Sequence, residues 1–265
     1  MTGMTWAAFR SEWVKLRRPT LFLSTLGGLA AAASLFVILL FTQARPDGGG
    51  GDGLPSLAQL AEPGGLVHGL NRAAVLLGVV AFGIAASQMA SEYSLGTLRQ
   101  LLVRQPRRVV LLAGKLAGVV TFMLVALAVA AAVSMVVAVV AAHARHVPVG
   151  TWFTATGIGD LFRSLGDLAL AVVGFSLLGL AVGLFVRSSV FAVIIGFAWL
   201  LPVEAVVVRI VPSAQAWLPG STLQLVAEGG APGYGYGAAL AVSAAYVVAA
   251  VVAATIWFSR RDVTA

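Results

Sequence analysis

The chain contains no cysteine among its 265 residues. Disulfides, thiolate metal sites and cysteine nucleophiles are thereby excluded. Charge is scarce as well. Asp, Glu, Lys and Arg make up 10% of the sequence, against roughly a quarter in soluble domains. A phosphate-binding loop is also missing. The one Gly-Lys pair, Gly114-Lys115, lacks the upstream glycine and the following Ser or Thr with which such a loop cradles phosphates. Nucleotide chemistry would therefore have to come from another polypeptide. His143 and His146 stand about one turn apart, with no third ligand in view, so no metal site is expected.

What is present is apolar: 60% of the residues are hydrophobic, and the formal net charge is +7. A positive chain could meet nucleic acid, but here the basic residues gather at the ends of apolar runs. Charges placed there orient a protein in a bilayer, and no nucleic-acid partner is expected. Six apolar runs, at 21–41, 73–89, 109–142, 168–186, 190–208 and 238–258, approach or exceed the roughly 20 residues a bilayer requires. The expected fold is all-α: a polytopic integral membrane protein with six transmembrane helices in one domain over 1–265.

Residues 1–20 read as an interfacial helix. Trp6, Phe9, Trp13 and Leu16 recur at helical spacing, with Arg10, Lys15, Arg17 and Arg18 around them. That pattern lays an aromatic face in the headgroups and extends basic side chains to phosphates, with the lipid bilayer as partner. The run that follows is longer than a signal-peptide core of about 7–15 residues. Residues 42–71 are rich in Gly and Pro and read as a flexible loop with one turn at 56–61. Gly78 and Gly83 permit close helix packing in the second span. The segments 143–167 and 212–237 read as connections on the outer side. Patches in the latter, such as Ala216-Trp217-Leu218-Pro219, are too short to span but suited to short re-entrant or surface helices.

Lys and Arg counts set the orientation. The N-terminus, the second and fourth connections and the C-terminus carry 4 + 5 + 1 + 2 = 12 of them, and the other side carries 5. Both termini are expected in the cytoplasm of a cell (plasma or inner) membrane.

Glu204 is the least expected residue of any span. A carboxylate there costs about 2.5–3.5 kcal/mol on insertion scales and should face the bundle interior or water. Pro202 frees a backbone carbonyl just before it and can bend the helix. Two readings stand: a buried pair with Arg209, or a carboxylate facing substrate or a gate. Asp160, Arg163 and Asp167 form a charged stripe at i, i+3 and i+7, either a solvated helix end or an outer vestibule. Glu204, Arg209, Asp160 and Asp167 are thus the candidates for a translocation path or its gate. Trp152, Phe153, Trp217, Tyr234, Tyr236 and Trp257 read as interface anchors, and Trp199, mid-span, as core packing.

The longest polar interruption on the basic side runs from Ser91 to Lys115. Leu95, Leu98, Leu101 and Leu102 share one face of a short helix, with Gly96, Thr97, Gln100 and Arg104 on the other. Pro106 ends that helix, because the residue before a proline is pushed out of the α region. Glu92, Gly96-Thr97, Leu101-Leu102, Pro106, Arg108 and Lys115 resemble the cytoplasmic loop of ABC exporter permeases of the type-2 (ABC-2) class. Arg107 departs from the pattern, which more often has a small or apolar residue there.

The resemblance extends to the interface helix, the six spans and the helices between the last two. It implies that 91–108 forms a coupling helix docking on a separate ATPase. Glu92, Gly96, Thr97, Leu98, Leu101, Leu102, Arg104, Pro106, Arg108 and Lys115 would be its coupling residues. Trp6, Phe9, Trp13, Arg17 and Arg18 would hold the membrane interface. Two permease subunits, identical or homologous, would join two ATPase subunits that carry ATP and Mg. This chain would be no enzyme and would bind no cofactor itself. The rival reading is a stand-alone secondary transporter or channel. Such proteins often show internal repeats and broken helices, and no convincing repeat relates the two halves here.

Overall fold

The computed structural model describes residues 2–45, 55–94, 108–186, 188–231 and 233–260. They are helical almost throughout, as an apolar chain must be when lipid offers its backbone no partners. Six helices are long and apolar enough to cross a membrane. The chain is an all-α, multi-pass membrane protein.

In order, α1 is Thr2–Leu16 and α2, the first span, is Pro19–Gln43. Two short helices, α3 (Leu57–Leu60) and α4 (His68–Arg72), flank a 3₁₀ turn at Pro63–Val67. The second and third spans are α5 (Ala74–Ser94) and α6 (Arg108–Ala144). After a 3₁₀ turn at Gly150–Phe153 comes α7 (Ala155–Val186). The fifth span is composite: α8 (Ser189–Ala198), a π-helical turn at Trp199–Val203, and α9 (Glu204–Ile210). A 3₁₀ turn at Pro212–Ala216 leads to α10 (Pro219–Ala227), and α11 (Tyr236–Arg260) is the last span.

Two compact units divide the chain. The first comprises Met1–Arg18, Leu76–Met123 and Leu170–Ala265; the second comprises Pro19–Val75 and Leu124–Ala169.

In the first unit, small residues let helices meet backbone to backbone. Gly179 and Gly183 of α7 form a G-x-x-x-G step, the spacing that brings two small residues onto one helical face. A Cβ on Gly179 would overlap the Phe82 carbonyl oxygen, and one on Gly183 would come within 2.5 Å of the Ala86 oxygen. Phe82 fills the space left by Gly196 on α8, while Phe197 and Phe175 rest on Gly83 and Gly78. The two α5 glycines thus do the packing expected of them.

In the second unit, Val37, Leu40 and Phe41 of α2 pack with Leu60, Ala138, Ala142 and Trp152. The loop 55–72, expected to be flexible, is ordered. Ser56 and Gln59 cap α3 reciprocally: Ser56 Oγ accepts from Gln59 N at 3.1 Å, and Gln59 Oε1 accepts from Ser56 N at 2.9 Å. A capping box satisfies two otherwise orphaned helix-end donors. Trp152 is 1% exposed and donates its indole N–H to the Leu60 carbonyl at 3.0 Å. It is a core residue and not an interface anchor, because the carbonyl meets the polar need that would otherwise draw an indole to water. Trp199 errs the other way: expected in the core, it is 47% exposed on the π turn.

The segment 143–167 also departs from expectation. Its second half is the first part of α7, so the Asp160, Arg163 and Asp167 stripe lies on a continuous 32-residue helix.

Candidate functional site

The longest α1 side chains do not all point to lipid. Trp6 is exposed, Phe9 and Trp13 are half-buried, and their rings stack in series at centroid distances of 5.3 and 6.1 Å. Arg10, Arg17 and Arg18 are exposed. That much matches an interfacial helix. Leu16, however, is fully buried, and Glu12 is 2% exposed.

Glu12 belongs to a cluster of four charges. Lys15, one turn further along α1, donates to Glu12 Oε1 at 3.0 Å and to Glu92 Oε1 at 2.9 Å. Lys115 on α6 donates to Glu12 Oε1 at 2.8 Å and also to Glu92 Oε1. Each ammonium bridges the same two carboxylates, and formal charge sums to zero. Glu12, Glu92 and Lys115 are buried, and Lys15 closes the side nearest water with its side chain 40% exposed. Gly118 makes the approach fit, since a Cβ there would stand 2.9 Å from Glu12 Cβ. Lys115 and Gly118, three residues apart, share one α6 face.

Burial by itself would push the Glu12 carboxyl up. The Lys115 charge and hydrogen bond, joined by those of Lys15, outweigh burial and hold it below its ordinary value. Burial likewise would pull the Lys15 ammonium down, but Glu12 and Glu92 raise it above its ordinary value. Such a cluster is costly to assemble and costlier to break, because removing one partner leaves a buried charge uncompensated.

The cluster ties α1 to the last turns of α5 and the early turns of α6, the two helices that bracket residues 95–107. Ser91–Ser94 continue the second span as helix. Glu92, expected among the residues that couple to a partner, is internal. Gly96, Thr97, Leu98, Leu101, Leu102, Arg104 and Pro106 lie outside the described residues. Arg108 opens α6.

Glu12 was missed by the sequence reading, and Lys15 was assigned to headgroups. A signal existed. Glu12 is the only acid before Asp47, and Lys15 and Lys115 are the chain's only two lysines against fifteen arginines. Lysine carries three donors on a compact ammonium at the end of a flexible stem, enough to bridge two carboxylates.

Glu204 has a different neighbourhood. Its Oε1 accepts from Gly220 N at 2.9 Å, and its Oε2 accepts from Ser221 N at 2.6 Å and Ser221 Oγ at 2.8 Å. The carboxylate therefore caps α10, and Arg209 is exposed on α9. The expected Glu204–Arg209 pair is not among the ion pairs of the described residues. Asp160 is exposed and Asp167 buried; both lie in the second unit, whereas Glu204 and Arg209 lie in the first. No group of three or more His, Asp or Glu residues among the described ones could hold a metal.

A family model described as a protein of unknown function (DUF2705) matches residues 64–264. No curated protein matches the chain.

Proposed function

We propose that this chain, which belongs to the DUF2705 family, is the permease subunit of an ATP-driven exporter of the ABC-2 type. The single observation that carries the reading is the four-charge cluster taken with the sequence it brackets. A connection that only links two spans needs polarity and a turn. This one carries a helix-forming amphipathic pattern, and the helices on its two sides are joined to each other and to α1 through Glu92, Lys115, Glu12 and Lys15. Force applied to a segment anchored in this way passes into two spans at once, as a coupling helix requires.

Both termini and residues 95–107 then face the cytoplasm, where the excess of Lys and Arg belongs. Two copies, or one copy and a homologue, form the translocation path in the cell membrane. Two ATPase chains dock beneath at the Gly96–Arg108 segment and carry the ATP and Mg. Because Glu92 is internal, the docking surface falls to residues after it: Gly96 for close approach, Leu98 and Leu102 as anchors, and Arg104 for charge pairing.

Copurification from the native membrane, followed by transport assays in reconstituted vesicles, tests this. An ATPase should accompany the chain, and transport should need ATP. Gly96→Phe should leave the protein inserted and abundant while transport falls at least about tenfold, which corresponds to roughly 1.4 kcal/mol of lost coupling. Transport that proceeds without ATP, or a fully active Gly96→Phe variant, would return the chain to the stand-alone transporters.

A further inference from the structure

We propose that α10 is a movable plug held in its seat by Glu204, and that the register of the fifth span sets whether the latch is closed. Its role in closing a path rests on the permease reading; the latch itself rests on geometry alone.

Helix α10 has nine residues, about 14 Å at 1.5 Å per residue, and cannot cross a bilayer. Yet Thr222 is 0% exposed, and Leu223, Leu225 and Val226 are at most 3% exposed. The long helices around it show the reverse pattern: only 17% of the apolar window is buried in each of the fifth and sixth spans. Seven of its nine residues are buried, although it lies in sequence between two largely uncovered spans. Its body is held by apolar contact. Leu223 enters the notch left by Gly174 on α7, and Leu225 and Val226 pack with Ala239 of α11.

Its polar attachment is concentrated at one end. The N-cap position is Leu218, which offers no side-chain hydrogen bond, and Pro219 follows at the first helical position. The local sequence therefore leaves the helix start uncapped, and a carboxylate sixteen residues upstream supplies the acceptors. At the other end the chain turns through Gly229, Gly230 and Gly233, all with positive φ. Those conformations suit glycine and let the chain reverse direction within a few residues.

The carboxylate is aimed by a weak point in its own helix. Glu204 directly follows the π turn that accommodates Pro202. A π turn holds one more residue than an α turn, so annealing it would rotate everything beyond by about one residue step, roughly 100°. That rotation would carry Glu204 off the α10 N-terminus. The π turn and the cap thus form one two-state element, the kind of discrete switch that converts a small shift into a large one.

Because the chain has no cysteine, a single thiol can report the seat. In purified protein, Thr222→Cys should be nearly unreactive toward a charged methanethiosulfonate. Adding Glu204→Ala should raise its labelling rate about tenfold, the loss expected for a strong helix cap. Ser176→Cys, also at a fully buried position but on α7, should stay unlabelled in the same background. Unchanged labelling at 222 refutes the latch. Simultaneous exposure of 176 also refutes it, since Glu204 would then be holding the bundle and not one helix.

In vesicles with the energised complex, position 222 should label during turnover and not at rest. A complex that transports while 222 stays silent would show that α10 is fixed, leaving the permease reading untouched. Absence of ATP-dependent transport in the unaltered chain would sink the permease reading, and the labelling of purified protein would still decide the latch.

Discussion

Lysine is used twice in this chain and arginine fifteen times, and both lysines sit in the same cluster. Each donates to the same two carboxylates, Lys115 in a buried position and Lys15 at the cluster's more exposed side. The cost of error there is large. Glu12→Gln leaves the buried Lys115 one carboxylate short and should destabilise the protein by about 3–5 kcal/mol, read as a drop in thermal midpoint in detergent. The reversed pair, Glu12→Lys with Lys115→Glu, should recover a good part of that loss, because interacting residues are non-additive. Lys15→Met should cost about 1 kcal/mol or less, since its side chain is 40% exposed and water screens the pair. Equal midpoints for all of these variants and the natural chain would show the cluster to be energetically idle.

The same residues set a pH window. The Glu12 carboxyl is held below its ordinary value of 4.5 in the fold. Its contribution is present above that value and is lost as pH falls through the lower, folded one. The Lys15 ammonium is raised above its ordinary value of 10.5. Its contribution is complete below that value and is lost as pH rises through the higher, folded one. Thermal stability should therefore be flat between the two and fall at both ends. In Glu12→Gln the acid-side fall should shrink, and an unchanged acid limb would exclude Glu12 as its source.

At the scale of elements, α7 shows how little a residue type says without its surroundings. Gly166, Gly179 and Gly183 stand on one helix. A Cβ on Gly166 would meet nothing within 4 Å, whereas Gly179 and Gly183 face the Phe82 and Ala86 backbones. Gly166→Ala should leave stability level or raise it by up to about 1 kcal/mol through helix propensity. Gly179→Val should cost about 1–3 kcal/mol or more, because backbone cannot yield as a side chain can. Urea-dependent loss of helix signal in detergent separates them, and equal stability would show that the α5–α7 contact is looser than drawn.

Other elements follow the same logic. The capping box at Ser56 and Gln59 was readable, yet the surrounding glycines suggested flexibility; packing under Trp152 decided for order. Trp6, Arg17 and Arg18 are exposed, as an interfacial α1 requires, whereas Leu16 is buried and Lys15 is held by Glu12 and Glu92. An amphipathic pattern marks two faces but does not say which neighbour lies against either.

For the whole molecule, cysteine scanning gives a direct test of orientation. Single cysteines at Gly50, Arg104, Ser188 and Gly229 can be read without background, and an impermeant reagent added outside intact cells should label 50 and 229 only. Labelling at 104 would overturn the proposed cytoplasmic placement of residues 95–107.

Though the fourth spanning helix begins at Ala155 and not near 168, the helical class and the presence of six spans were determined by the sequence alone, for one physical reason. In lipid every backbone N–H and C=O must be satisfied within its own segment, so a sufficiently long apolar run has no choice but helix. Charge obeys no such local rule. Whether Glu12 meets a headgroup, Glu92 a partner, or Glu204 an arginine depends on which helices stand beside each of them. Lys115 lies 103 residues from Glu12 and Ser221 lies 17 from Glu204. Those encounters were decided only when α6 came against α1 and α10 folded in against the end of the fifth span.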